Sequence, residues 1–462
     1  MKEFLKPVGI LLFISVLFFG AFSGCKKEEP IELPPKEENV VNEFIYDITS
    51  TYYLWEQYIP SGIDINDYPD SYELFDTLKY KTLDHWSALT DNYQDFQNSL
   101  DGIRKVAGYR LQLFEIAGSQ NLYGIVGWVY AGSSAEQAGL KRGDIIVKIN
   151  GQNLSADNLN DLLSLDSYTI ALGQIVGDQV SETGETLSAV KTELAINPIL
   201  YYDVIDVQGT KIGYFVYDQF LDSYTAELEN VFSYFASESI DELVLDLRYN
   251  PGGYVTTCAN LASMIAPANA LDKTFLTMQW NDLLTDYLTQ EFGSESDYFI
   301  TNFPKPNINI DMGRMVVLTS TGSASASEAI INGLSPYMDI TIIGERTAGK
   351  YTGASLFYDM EEQKHDWGIY LVINRIANSL GNTDYVDGFT PDFEVADDYT
   401  TPLGDIAEPL LAKAIEQLTG VIAKKAKSRP ENIIPFANYY ESELEQNGIM
   451  YIDKKLRGFK KD

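Results

Sequence analysis

The stretch from residue 314 to residue 343 constrains the fold most, because it runs from strand to helix to strand. Arg314–Thr319 is a short apolar run with strand character, and Glu328–Leu334 has the apolar character of a helix. Ile340–Ile343 is a second strand-like run, and the residues between the first strand and the helix are small. This order predicts a βαβ unit and therefore an α/β domain. Chemistry in such units gathers beyond the ends of the strands.

A serine and a lysine lie beside this unit. Ser325 is in the middle of the run GSASASE at residues 322–328, and Lys350 lies just beyond the second strand. The chain has 2 histidines, His85 and His365, and each stands alone in sequence. A lysine held neutral by desolvation can replace histidine as the base for a serine nucleophile. The pattern favours a Ser-Lys pair, although alternating serine and alanine is also common in surface loops and at helix starts.

A loop with free backbone donors follows another strand-like run. Leu243–Arg248 leads directly into Tyr249-Asn250-Pro251-Gly252-Gly253. A Pro-Gly-Gly turn after a buried strand leaves backbone N–H groups free, which suits the binding of an anion. Most such turns only reverse the chain. Beside the serine and the lysine, this one predicts an oxyanion-binding loop.

Charge limits the partners of the chain. Its 462 residues include 33 Lys and Arg against 67 Asp and Glu, which gives a formal charge of −34. That charge would repel nucleic acid and anionic lipid surfaces, so neither is an expected partner. The cysteines and histidines form no metal-binding cluster in the sequence, so no cofactor is expected.

Residues 1–25 have the character of a bacterial export signal. Lysines precede an almost uniformly apolar stretch from Val8 to Phe22, and Ser23-Gly24-Cys25 closes it. The apolar stretch is short for a membrane span. Its end resembles a lipobox, which implies that Cys25 is lipidated and anchors the protein in the bacterial cell envelope, at the periplasmic face or the outer-membrane surface. An uncleaved N-terminal anchor is the alternative.

Two further segments precede the folded core. Residues 26–39 are charged and contain prolines, which predicts a flexible linker. In residues 40–100, apolar side chains such as Phe44, Ile45 and Ile48 recur at helical spacing. We therefore expect a small helical N-terminal domain without chemistry of its own.

Residues 101–197 change to short strand-like runs separated by glycine turns. Residues 133–151, SSAEQAGLKRGDIIVKING, resemble a PDZ domain, with a short helix ending in Ala-Gly-Leu, a Gly-Asp turn and a strand ending in Ile-Asn-Gly. PDZ domains hold a C-terminal carboxylate in a nest of backbone N–H groups and add the peptide to a sheet edge. The resemblance implies a peptide-binding segment at Gly108, Tyr109, Arg110 and Leu111. A PDZ-shaped module without peptide binding is the alternative.

Three motifs in residues 198–420 resemble those of the C-terminal processing peptidases, serine peptidase family S41. They are Asp246-Leu247-Arg248 through Gly253, Ser323 through Glu328, and Gly344-Glu345 through Gly349-Lys350. With the PDZ domain ahead of them, the resemblance covers about residues 40–420. It implies a mixed α/β (α+β) peptidase core of the ClpP/crotonase type.

The same resemblance implies roles for individual residues. Ser325 would be the nucleophile and Lys350, with a pKa lowered by burial, its general base. Glu328 matches a family glutamate with a supporting role. Backbone N–H groups would hold the oxyanion, from Ala326 and from Gly252 or Gly253.

The chain departs from the family pattern next to Lys350. Many relatives carry a glutamine where this chain has Ala354, and some carry an aspartate where it has Pro336. Other groups must therefore orient Lys350, or activity is reduced. The nearby hydroxyl candidates are Tyr351, Thr352 and Ser355.

The sequence as a whole predicts a lipid-anchored serine endopeptidase. Its PDZ domain would recognise exposed C-terminal tails of polypeptides, and the Ser-Lys pair would cleave near them. The alternative is a catalytically inactive PDZ lipoprotein that binds or tethers envelope proteins. The remaining residues, 421–462, form a basic tail, either mobile or a docking element, for which the family gives no guide.

Overall fold

The structure is a computed structural model that describes residues 39–119, 121–177, 179–360, 363–422, 433–439 and 449–452. Cys25, the export signal and the linker lie outside these ranges, so the roles inferred for them stay predictions. Within the described ranges, no helix combines the length and apolarity needed to cross a bilayer.

Residues 40–100 are helical only in parts. The elements are α1 (Val40–Tyr52), α2 (Ser71–Leu78), β1 (Ala88–Thr90) and α3 (Tyr93–Leu100). Pro60, Gly62 and Pro69 lie between α1 and α2, where they do not favour a continuing helix. Strand β1 pairs with a strand of the central domain, so this region is built into that domain.

The next region is a small β-rich module. Its elements are β2 (Ile103–Val106), β3 (Tyr109–Ile116), β4 (Leu122–Val129), α4 (Ser134–Gln137), β5 (Ile145–Ile149), β6 (Gln152–Asn153), α5 (Leu159–Ser164), β7 (Ser167–Val176), β8 (Gln179–Val190) and β9 (Thr192–Ala195). The sheet order is β3-β4-β5-β7-β8, and β2 pairs with β9. Alternate residues of β3, including Leu111 and Leu113, pack with Leu162 and Leu163 of α5 in the core of the module.

The central domain contains most of the remaining elements. They are β10 (Ile199–Val207), β11 (Thr210–Tyr217), α6 (Thr225–Glu238), β12 (Glu242–Asp246), β13 (Gly252–Tyr254), α7 (Val255–Ile265), β14 (Thr274–Trp280), α8 (Asp282–Phe292), β15 (Ile300–Asn302), β16 (Arg314–Thr319), α9 (Ala326–Leu334), β17 (Asp339–Gly344), β18 (Thr352–Tyr358), β19 (Gly368–Asn378), β20 (Phe393–Glu394) and α10 (Pro409–Thr419). In the tail, β21 (Ile433–Tyr439) and β22 (Ile449–Tyr451) follow.

One sheet of this domain carries the predicted βαβ unit. Its order is β10-β11-β12-β16-β17-β20, and all its pairs are parallel except β10 with β11. Strands β16 and β17 are adjacent and are connected through α9, so the βαβ prediction is confirmed. Apolar side chains fill both faces of β11 and β12, as expected for strands covered on both sides.

The second sheet has the order β13-β22-β18-β19-β14-β15, with β1 added to β19. Tail strand β22 therefore lies inside this sheet, between β13 and β18. The other tail strand, β21, pairs with β3 of the β-rich module. Strands β21 and β22 of the tail therefore pair with the folded body.

Candidate active site

Ser325 lies at a sharp turn between β16 and α9. Its backbone angles are φ 64° and ψ −110°, a region that residues other than glycine rarely adopt. The side chain is fully buried, and Oγ has no hydrogen-bond partner among the described residues. The next residue, Ala326, is the first of α9, where backbone N–H groups have no intrahelical acceptor. The turn thus presents a hydroxyl and an adjacent N–H donor together.

The Pro-Gly-Gly loop lies against this turn. The N–H of Gly252 donates to Asn250 Oδ1 at 2.8 Å, and the N–H of Ala324 donates to Asn250 O at 3.2 Å. Gly252 has a φ of 113°, and a Cβ placed on it would lie 2.9 Å from Ser325 Cβ. Only glycine fits so close a contact with this φ. Since Asn250 occupies the Gly252 N–H, the neighbouring Gly253 is the better of the two predicted oxyanion donors.

Glu328 connects the serine turn to the lysine segment. One carboxylate oxygen accepts the Ser325 N–H and the Lys350 N–H, each at 2.8 Å. The other accepts the Thr347 hydroxyl and the Gly349 N–H, each at 2.6 Å. Burial raises the pKa of Glu328 to about 7, and these four hydrogen bonds oppose that rise. The carboxylate therefore ties both segments to one point.

Lys350 is fully buried among aromatic side chains. Its Nζ donates to the Tyr370 hydroxyl at 3.5 Å and lies 5.1 Å from the centre of that ring and 5.4 Å from the Trp86 ring. Burial lowers the pKa of Lys350 to about 7, against the opposing effect of the Asp84 and Glu328 carboxylates. Because Ser325 Oγ is unpaired, it is not hydrogen-bonded to Nζ here. Glu328 binds the backbones of both residues.

The N-terminal region contributes to the lysine site, contrary to our expectation that it has no chemistry of its own. Asp84 is buried and accepts hydrogen bonds from Tyr53 at 2.7 Å and from the N–H of Trp86 at 3.0 Å. These bonds hold Trp86 where its ring faces Lys350. Nothing in the local sequence signals this role, because the residues are far apart along the chain.

A hydroxyl does contact Lys350, but it is not one of the three predicted. Tyr370 of β19 provides it. Ser355 Oγ instead donates to Ile452 O at 2.9 Å, and Thr352 Oγ1 has no partner among the described residues. Ala354 is buried on β18 and accepts the Ile452 N–H through its carbonyl at 2.9 Å. Ser355 Oγ is therefore bonded to the tail, and neither it nor Thr352 Oγ1 is hydrogen-bonded to Lys350 Nζ.

The predicted peptide-binding segment lies at the start of β3. The guanidinium of Arg110 donates to Tyr249 O at 3.0 Å and lies 3.6 Å from the Asp218 carboxylate. Arg110 therefore joins the β-rich module to the loop ahead of Gly252. The Tyr109 hydroxyl is buried and bonded to Tyr168 at 2.7 Å. Gly108 has a φ of 91° and no room for a Cβ beside Ser133, while Leu111 belongs to the module core.

A buried carboxylate cluster lies behind the oxyanion loop. Oxygens of Asp397, Asp398 and Glu408 lie within 4.8 Å of one another. Arg248, also buried, pairs with Glu408 at 2.8 Å and with Asp397 at 3.2 Å. The Arg248 guanidinium compensates the negative charge of these carboxylates. The cluster is therefore explained as a structural ion network.

Known families match three parts of the chain. Residues 40–88 match the peptidase S41 N-terminal domain, residues 125–166 match a PDZ domain, and residues 211–395 match peptidase family S41. Together with the architecture described above, these matches confirm the predicted mixed α/β fold with a PDZ domain and a small N-terminal domain.

Individual relatives agree with these matches. The carboxyl-terminal-processing protease of Synechocystis sp. is 26% identical over 65% of this chain and 66% of its own length. The carboxy-terminal processing protease of Bacillus subtilis is 26% identical over 48% of this chain and 42% of its own length. This chain thus spans about half to two thirds of the length of the curated relatives it matches.

A solved structure shares the fold. The crystal structure of an S41 protease candidate from Bacteroides fragilis superposes with a TM-score of 0.70 at 24% sequence identity. The similarity covers 82% of this chain and 97% of that chain.

Proposed function

We propose that this chain, in which residues 211–395 match peptidase family S41 and residues 125–166 match a PDZ domain, is a serine endopeptidase with Ser325 and Lys350 as its catalytic pair. The observation that carries the proposal is the burial of Lys350, which brings its pKa to about 7. A lysine near its reference pKa of about 10.4 would be almost wholly protonated at neutral pH. At a pKa near 7, a large fraction is free amine and can act as a base.

The first half of the reaction forms an acyl-enzyme. Ser325 Oγ attacks the scissile carbonyl carbon, and its proton passes to Lys350 Nζ. The oxyanion accepts hydrogen bonds from the N–H groups of Ala326 and Gly253, each typically worth about 3–4 kcal/mol in the transition state. When the tetrahedral intermediate collapses, the C–N bond breaks and the Lys350 ammonium gives its proton to the leaving amine.

The second half regenerates the enzyme. Water attacks the ester carbonyl and gives a proton to Lys350 Nζ, which passes it to Ser325 Oγ as the C–O bond breaks. Because Oγ is not hydrogen-bonded in the resting structure, Ser325 Oγ and Lys350 Nζ must form a hydrogen bond before the first proton transfer. Catalytic hydrogen bonds often form only when the substrate is bound.

The proposed substrates are polypeptides with exposed C-termini, cut near those termini. The support is the PDZ domain, a module that captures C-terminal carboxylates and adds peptides to a sheet edge. The relatives from Synechocystis sp. and Bacillus subtilis carry names that describe carboxyl-terminal processing. Lipidation at Cys25 would hold the enzyme in the bacterial cell envelope, and a Cys25→Ser variant that stays in the membrane fraction would contradict this part.

The decisive experiment compares the parent with Ser325→Ala and Lys350→Ala. Unfolded polypeptides with varied C-termini are incubated with each, and a serine-reactive fluorophosphonate reports nucleophile reactivity without any substrate. We expect both variants to lose at least about 1,000-fold in kcat/KM, with melting temperatures showing that they fold. A parent that binds tails yet neither cuts them nor reacts with the phosphonate would support the inactive PDZ lipoprotein instead.

The pH dependence is a second test of the same pair. Lys350 must be neutral to accept the serine proton, and its pKa is about 7. The value of kcat/KM should therefore be low in acid and rise with pH through an inflection near 7. A profile that is flat from pH 6 to pH 9 would exclude Lys350 as the base.

A further inference from the structure

A slot one strand wide separates the two halves of the candidate site, and the tail of the chain fills it. Strand β22 pairs in parallel with β13, with Gly252 opposite Ile449 and Tyr254 opposite Tyr451. On its other side it pairs with β18, with Ala354 opposite Tyr451. Strand β13 carries the oxyanion loop, and β18 follows Lys350 directly. An extended polypeptide bound in this slot would lie beside Ser325, because Gly252 of β13 approaches Ser325 Cβ.

The tail makes in this slot the backbone contacts that a bound polypeptide would make. The Ile449 N–H donates to Pro251 O at 2.6 Å, and the Ile452 N–H donates to Ala354 O at 2.9 Å. In a parallel ladder, a residue that donates to Pro251 O turns its own carbonyl toward the N–H of Gly253. A Cβ on Gly252 would overlap that same Ile449 carbonyl oxygen. The tail thus takes the donor that the oxyanion would need.

The side chains of the tail close the slot to solvent. Ile449 is fully buried, and Tyr451 and Ile452 are 8% and 4% exposed. The Tyr451 ring packs edge-on against Tyr254, with ring centres 5.0 Å apart. Ser325 is fully buried, and a Cβ on Gly252 would lie close to both Ile449 O and Ser325 Cβ, so the tail backbone lies next to the serine. With the tail in place, no polypeptide can reach the serine.

An earlier part of the same tail covers the sheet edge at which a PDZ ligand would add. Strand β21 runs antiparallel to β3, with Ile433 opposite Ile116 and Tyr439 opposite Leu111. A peptide that places its C-terminus near Gly108 would run along β3 in this same direction. Both polypeptide-binding surfaces of the chain are therefore occupied by its own tail, and the joining residues 440–448 lie outside the described ranges.

We propose that the C-terminal tail is a tethered competitor for both surfaces, so that the chain is self-inhibited until a polypeptide displaces it. This inference rests on the proposed function, because the slot is a substrate-binding site only if the chain is a peptidase. A polypeptide C-terminus that takes the β3 edge from residues 433–439 removes one of the two attachments that hold β22. The apparent affinity for substrate is reduced by the fraction of molecules in which the slot is open.

Ile449→Pro tests the occupation of the slot, because proline lacks the N–H that bonds to Pro251 O. Ile422→Pro, the same change at a position that is 76% exposed in the described part of the tail, is the matched control. We expect Ile449→Pro to raise polypeptide cleavage and phosphonate labelling of Ser325 about tenfold or more, and Ile422→Pro to leave both unchanged. An Ile449→Pro variant that folds and is no faster than the parent would overturn the proposal.

A binding measurement separates this proposal from the proposed function. A fluorescent peptide with the sequence of residues 447–454, NGIMYIDK, is titrated into Ser325→Ala and into Ser325→Ala combined with Ile449→Pro. The double variant should bind it about tenfold more tightly, whether or not the parent ever cleaves a substrate. Equal binding would reject the tail proposal, whereas tighter binding without any polypeptide cleavage by the single Ile449→Pro variant would reject only the peptidase.

Hydrogen exchange provides a test that needs no change in the tail. In Ser325→Ala, the amides of Ile449 and Ile452 should be protected at rest and should exchange faster when a saturating unfolded polypeptide with a free C-terminus is added. Protection that persists at saturation would show that β22 is a permanent strand of the sheet and would overturn the proposal.

Discussion

The serine and lysine halves of the candidate site are built in different ways. Ser325 is shaped by its neighbours in sequence, because the turn between β16 and α9 sets its backbone and Glu328 accepts its N–H. Lys350 depends on distant segments, since the aromatic rings around it come from Trp86 and Tyr370. Residues close in sequence can thus set the position of a nucleophile, whereas the pKa of a buried base depends on all the groups packed around it.

Glu328→Gln should have the largest effect on this comparison, because the carboxylate accepts hydrogen bonds from the backbones of both halves. Glutamine keeps a single carbonyl oxygen, so its NH₂ group would face two of the four donors that Glu328 now accepts. We expect a loss of about 100-fold in kcat/KM. Loss of the Glu328 charge also lowers the pKa of Lys350, so the pH inflection should move below 7.

Glu345→Gln is the matched control for that variant. Glu345 precedes the same loop and is partly exposed, and we expect its kinetics and pH profile to match the parent. If Glu328→Gln also matched the parent, the two halves would be positioned independently.

Trp86→Leu should have a smaller effect, confined to the lysine half. A smaller side chain lets water approach Nζ, which weakens the desolvation that lowers the pKa of Lys350. The inflection in kcat/KM should move to higher pH, with a loss of about tenfold at pH 7 that recovers near pH 9. Trp367→Leu, whose ring packs on Tyr72 instead, should leave the inflection in place. An unshifted inflection in Trp86→Leu would show that this ring does not tune the base.

Tyr370→Phe should have the smallest effect. It removes the hydroxyl 3.5 Å from Lys350 Nζ but keeps the ring that buries the lysine. We expect kcat to fall about threefold, with KM unchanged, because one long hydrogen bond to the base is lost. Tyr358→Phe, at a ring stacked on Tyr93, is the control. A loss as large as that of Lys350→Ala would instead make the Tyr370 hydroxyl essential to catalysis.

Local patterns account for the successful predictions. The strand at Arg314–Thr319 was predicted with the bounds that the structure shows, and the helix after Ser325 begins two residues earlier than the apolar run alone indicated. The Ala-Gly-Leu helix and the Gly-Asp turn identified the PDZ domain, which a family model also matches. Periodicity and turn residues act over a few positions, so a single sequence displays them directly.

What was missed depends on turn residues, on one side-chain hydrogen bond and on contacts between distant segments. Residues 40–100 contain the helices α1, α2 and α3, but the α-helix is not continuous between α1 and α2, where Pro60 and Pro69 lie. Asn250 Oδ1 accepts the N–H of Gly252. This bond favours Gly253 over Gly252 as the oxyanion donor, a choice that the sequence left open. The tail pairs with β3 and β13, although its composition indicated only a basic segment.

The amino-acid sequence by itself determined that a serine follows a strand and begins a helix, with a lysine one strand later and a glycine loop ahead of both. It did so because these features depend on side-chain size and backbone preference at neighbouring positions. Only the tertiary structure decided that Lys350 is buried between Trp86 and Tyr370, and that the tail lies over Ser325. Desolvation and strand addition both require that segments remote in the chain meet in space. A sequence pattern records only neighbouring residues, so it does not predict such contacts.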